Sequence, residues 1–154
     1  MKSAEQSKDD DDRTNSMGLF NQAEAYRLSA MALEERKIKS GFADHPIWFC
    51  YCHALELYLK ALLRQKYSVA EIEAFRHNIK RLVNEAEKLE LVLADKERVL
   101  LFIIGDADTL IEVRYVRTGP KTLPELEELN RTCKNIRDSV ASLLRKAGVM
   151  VRLS

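Results

Sequence analysis

Apolar residues recur at intervals of three and four along most of this chain, a spacing that predicts helices rather than strands. Leu19, Ala23, Tyr26, Ala30 and Leu33 mark one buried stripe on a first helix over about residues 17–40, with Asn15 or Ser16 as its cap and Gly41 at its end. The stretch ADHPIW opens a second helix, at about 46–66: Asp44 or His45 caps it, and Pro46 suits a first turn where its missing N–H costs nothing. Trp48, Tyr51, Leu55, Tyr58 and Leu62 line one side of that helix, and Ala54, Leu57 and Ala61 widen the stripe. A helix apolar around so much of its girth belongs at the centre of a bundle.

Ser68, with Glu71 three residues on, is a capping-box pattern. It leads through a short helical turn to a longer helix at about 77–89, buried through Ile79, Leu82, Val83, Ala86 and Leu89. The run VLLFII at 99–104 has the length of a buried strand, but charged flanks at helical intervals and the lack of a second strand favour a helix. RYVRTGPKTLP carries two prolines and a glycine and reads as a loop. The last helix, at about 124–147, has Thr122 or Leu123 as cap and Gly148 just past its end. Its seam is Leu126, Leu129, Cys133, Ile136, Val140, Leu143 and Ala147, suited to bundle partners or to a second subunit. The expected fold is all-α, an up-and-down bundle of about five helices forming one domain over 17–154. Residues 1–16, almost without apolar side chains and with four consecutive aspartates, read as a disordered leader or a tag.

Composition agrees. The chain has 154 residues, 46% hydrophobic and 32% charged, with only 5 Gly and 3 Pro, as in a loop-poor helical protein with one sizeable core. No apolar run approaches the roughly 18–20 residues needed to span a bilayer, so no membrane is expected. The N-terminus has no apolar signal region, and the cytoplasm is the expected location. Cys50, Cys52 and Cys133 form no C-x-x-C pair and read as buried structural thiols.

Net charge is +1, but the sign is uneven along the chain. From Arg131 to Arg152 there are six basic residues against one acid, Asp138. Such a block suits phosphates, or simply a solvated face at the negative end of a helix dipole. There is no glycine-rich phosphate loop. GDAD at 105–108 lacks the Gly-Ser turn that accompanies paired metal-binding aspartates, and Asp108 with Glu112 reads as a solvated face. No metal-ligand spacing occurs, and neither metal nor cofactor is expected. Of the histidines, His45 reads as a helix cap, His77 as a helix opener and His53 as a hydrogen-bonded core or groove residue.

The segments HALELYLKALL (53–63), RHNIKRLVNEAEKLEL (76–91) and RYVRTG (114–119), followed by a long amphipathic helix, together resemble the HEPN domain family over roughly residues 17–148. The resemblance implies a helical bundle that dimerises through its long helices. It also implies either an RNase, often a toxin paired with a nucleotidyltransferase-like antitoxin, or a non-catalytic binding module. RNase members carry an arginine, a polar residue after it, and a histidine following four to six intervening residues. Histidine supplies a proton shuttle near neutrality, and arginine supplies a cation for the charged phosphorane.

Here Arg137 and Asp138 match the first two positions, but Ser142 stands where the histidine belongs. None of His45, His53 and His77 follows an arginine at that interval. Serine exchanges no proton near pH 7, so no catalysis is expected, and the resemblance then implies a homodimeric binding module. Its expected ligand is a nucleotide, RNA or a protein partner such as a nucleotidyltransferase-like antitoxin, met by Arg114, Arg117, Lys121, Arg137 and Ser142. The rival expectation is an RNase with a displaced site, built from His53 or His77 with Arg114 or Arg137.

Overall fold

The computed structural model describes residues 3–36, 38–106 and 124–153 of the chain. Among them are seven helices and no strand: α1 (Ala4–Arg13), α2 (Ser16–Glu35), α3 (Asp44–Leu63), α4 (Val69–Phe75), α5 (Ile79–Lys88), α6 (Asp95–Asp106) and α7 (Leu126–Lys146). The fold is an all-α bundle. No helix of the described residues is long and apolar enough to cross a membrane.

Helix α3 is the centre of the bundle, packed against α2, α5 and α7. Trp48, Tyr51, Tyr58, Leu55, Leu59 and Leu63 are all essentially inaccessible. The α2–α3 contact is the most extensive, and α6 reaches the bundle mainly through α5. Leu129, Cys133, Ile136 and Val140 of the α7 seam are buried, and α7 packs on α3. Val140 is joined by Ala141 and Leu144, whereas Leu143 is half-buried and Ala147 exposed. The seam therefore drifts by one residue in its last turns, as a 3.6-residue helix does against a heptad pattern. VLLFII lies within α6 and is helical.

Several helix ends follow from local chemistry. Asn15 Oδ1 accepts from Gly18 N at 2.8 Å and starts α2; Ser68 Oγ accepts from Glu71 N at 3.2 Å and starts α4; Asn78 Oδ1 accepts from Arg81 N at 3.1 Å and starts α5. Neither Asp44 nor His45 caps α3: its N-cap is Ala43, without a side-chain hydrogen bond. The cap of α7 is Glu125, while Thr122 and Leu123 lie outside the described residues. At the end of α7, Gly148 takes φ 85° while Val149 N donates to Leu144 O at 2.9 Å, the bond pattern that stops a helix with a left-handed residue.

The leader differs from the sequence expectation. Ala4–Arg13 is helical, opened by a reciprocal Ser3–Gln6 capping box. Arg64, at the end of α3, binds its far end: Nη2 donates to Asp11 O and Nε to Thr14 O, each at 2.9 Å. Asp11 Oδ1 in turn accepts from Val69 N at 2.8 Å. A guanidinium on carbonyls at a helix C-terminus also meets the negative end of its dipole. Composition alone does not reveal this polar docking, because the anchor is a residue fifty positions away.

Candidate anion-binding groove

Arg137 is turned inward. Its side chain is 10% exposed, with Nε 3.0 Å from Asp138 Oδ1 and 3.8 Å from Glu24 Oε1. Glu24, on α2, is itself buried; it accepts a hydrogen bond from the Tyr58 hydroxyl and lies 3.5 Å from Arg27 Nε. Two guanidiniums thus face a buried carboxylate, and Asp138 supplies the second negative group. Burial, followed by the hydrogen bond to Glu24, pushes the Tyr58 phenol well up from its usual range. Burial likewise pushes the nearby Cys133 thiol up to about 12. Ser142, where the motif's histidine would stand, is exposed on α7, whereas Arg137 is buried. Arg114, Arg117 and Lys121 lie outside the described residues, as do Asp108 and Glu112.

A different set of residues does converge. Glu56 is 1% exposed on the most apolar helix, and its carboxylate is held by Lys60 Nζ at 2.6 Å, one turn on. Both of its oxygens lie 3.0 Å from His77 Nδ1. A carboxylate only accepts, so Nδ1–H donates, and the ring is fixed with Nε2 on its opposite edge. His77 is part-exposed and lines a groove of about 760 Å³ together with Lys60, Glu73, Arg76, Asn78 and Lys80. Gly105, near the end of α6, closes one side. A Cβ there would meet Lys80 Cγ at 3.0 Å, so glycine lets α6 approach the base of that lysine.

The turn between α4 and α5 sets this geometry. Arg76 takes φ 49°, ψ −124°, and Asn78 N donates to Phe75 O at 3.1 Å across it. These angles belong to the first central position of a type II′ turn, which glycine normally occupies. A non-glycine residue held there stores strain, and such strain concentrates at functional sites. The turn places Arg76 and His77 at the groove and leaves Asn78 to cap α5, whose positive N-terminal end borders the same space.

No family model, curated protein or solved structure matches this chain. Among the described residues no three His, Cys, Asp or Glu side chains are grouped to hold a metal ion. The other histidines are placed differently: His53 sits against the rings of Tyr26, at 4.4 Å, and Phe49, at 5.8 Å, and His45 against Phe42. Cys50, Cys52 and Cys133 are free thiols, the last two buried.

Sequence spacing singles out His77 but not Glu56, Lys60, Arg76 and Lys80 around it. One signal was present: in HALELYLK the acid Glu56 interrupts a helix that is otherwise apolar on that side, with Lys60 four residues on. The tertiary partner, twenty-one residues away across a turn, leaves no mark in periodicity.

Proposed function

We propose that the protein is a non-catalytic, HEPN-type binding module, a cytoplasmic homodimer that takes a phosphate-bearing ligand, nucleotide or RNA, in the groove beside His77. The observation supporting the ligand class is the convergence of Lys60, Arg76, His77 and Lys80 on one groove at the N-terminal end of α5. The dimer and a nucleotidyltransferase-like antitoxin as protein partner rest on the family resemblance of the HALELYLKALL and RHNIKRLVNEAEKLEL segments. That Arg137 is buried and ion-paired supports looking for the ligand beside His77 rather than at Arg137. Titrating labelled oligoribonucleotide and nucleotide at rising salt tests the reading: affinity falls steeply with salt and with Arg76→Ala. Absence of binding to both removes the nucleic-acid version.

The Glu56–His77 pair favours a second reading, an RNase with its site displaced to this groove. A carboxylate-held imidazole is the arrangement a proton shuttle needs. Incubation with structured and single-stranded RNA distinguishes the two: cleavage lost on His77→Ala supports the enzyme.

A further inference from the structure

Beyond ligand binding, the geometry points to His77 as a phosphoryl acceptor, its Nε2 taking the phosphoryl group of an acyl phosphate. Such a transfer needs one nitrogen lone pair, held still and open to solvent. Lysine and arginine carry protons on all their side-chain nitrogens, and the amide nitrogen of asparagine only donates. Among the described residues that line the groove, only His77 therefore offers that lone pair. Glu56 fixes where it lies. The carboxylate is 1% exposed and both its oxygens are 3.0 Å from Nδ1, so the neutral ring keeps its proton on Nδ1 and its lone pair on Nε2. The His77 side chain is nonetheless 36% exposed, so a donor in solution reaches the ring.

The step balances without an oxidant or an added base. Nε2 attacks phosphorus, the bond from phosphorus to the acyl oxygen breaks, and the carboxylate departs with its electron pair. A P–N bond has formed, and the ring, still carrying its Nδ1 proton, has become a cation. Glu56 already lies against that proton, so a buried carboxylate meets the positive charge as it develops. Arg76 immediately precedes His77 and lines the same space. A guanidinium there takes two oxygens of the arriving group side by side. The N-terminal end of α5, opened by the Asn78 cap, favours negative charge at the same place.

Incubating the intact chain with acetyl phosphate at about pH 8, read by intact mass, peptide mapping and phosphorus NMR, tests this. The expected product carries a single phosphoryl group, on His77, as the Nε2 isomer. The native chain takes it up at least about tenfold faster than the same chain in urea, because only the fold orients the ring. His77→Gln takes up none, and Arg76→Ala slows uptake by about tenfold. Glu56→Leu gives a mixture of Nδ1 and Nε2 isomers, which a loss of stability alone does not produce. Uptake on His45 or His53 in place of His77, the Nδ1 isomer in the unaltered protein, or equal rates in the native and unfolded chains would each overturn the inference. These three readouts need no variant, so they decide even where His77→Gln or Glu56→Leu fails to fold. Calorimetric titration with AMP reads the groove separately. AMP binding without phosphoryl uptake overturns the acceptor and leaves the phosphate-binding reading intact; uptake on His77 without AMP binding does the reverse. Neither binding nor uptake overturns both.

Discussion

Arg137 Nε and Glu24 Oε1 lie 3.8 Å apart across the α2–α7 contact, each on a side chain at least nine-tenths buried. The arginine that most resembles a phosphate ligand in sequence is thus a partner of a buried acid. Arg137→Ala removes one of the two guanidiniums facing Glu24 and opens space beside Ile136 and Val140. Breaking a buried pair in this way costs about 3 kcal/mol. Urea unfolding measures the loss, and AMP affinity of the folded variant stays unchanged. A variant of full stability with weakened AMP binding would put Arg137 back in the ligand site.

Glu56 connects the core to the groove, and its removal has two separable effects. Glu56→Leu keeps roughly the volume but leaves Lys60 without its counter-ion and His77 without an acceptor. Hydrogen bonds to a charged group contribute roughly 2 kcal/mol, and stability falls by about that amount. The ring signals of His77 broaden or shift as Nδ1 loses its fixed acceptor. Unchanged ring resonances in the variant would mean that Glu56 does not orient the histidine.

Alkaline sensitivity follows from the groups buried in neutral form. Burial pushes Cys133 up to about 12, and burial with a carboxylate hydrogen bond pushes Tyr51 and Tyr58 well up from their ordinary values. The unfolded chain releases these protons first, at about 8.5 for the thiol and about 10 for the phenols. Their contribution is therefore complete below about 8.5 and is lost progressively as pH rises toward the folded values. The denaturation midpoint should hold from pH 7 to 8 and fall between pH 9 and 11, less steeply in Cys133→Ala. Alkylation of Cys133 at pH 8 as fast in the native protein as in urea would contradict its burial.

Arg64 ties the leader to the end of α3, alongside the Asp11–Val69 bond and the Gln65–Ser16 contact. Arg64→Ala removes two charge-assisted bonds to Asp11 O and Thr14 O, together about 3 kcal/mol of local stability. The amides of Ala4–Arg13 should then exchange with solvent far faster than those of α2. Equal protection before and after the substitution would show that the leader is held by something else.

How much of this was legible depends on distance along the chain. The α3 core, the Ser68 cap and the α6 assignment follow from patterns within one or two turns, and periodicity shows them. The docked leader, the inward Arg137 and the Glu56–His77 pair each join residues from twenty-one to more than a hundred positions apart, and spacing says nothing of such partners. Arg137 looked outward because it sits between seam positions Ile136 and Val140. Helical geometry places it on the border of the buried stripe, and Glu24 then decides which way the guanidinium turns.

Among the described residues two non-glycine residues have positive φ, Arg76 at 49° and Glu90 at 71°, and they separate structural from functional strain. Glu90 follows the end of α5, where Leu91 N donates to Ala86 O at 3.2 Å, the helix-ending pattern that glycine favours. Glu90→Gly relieves that strain and should stabilise the protein by about 1 kcal/mol with no effect on AMP affinity. Arg76→Gly relieves comparable strain at the II′ turn, and gains about 1 kcal/mol in urea unfolding. It also removes the guanidinium from the groove, so AMP affinity falls while stability rises. A gain in stability with affinity retained would leave the Arg76 strain without a role in binding.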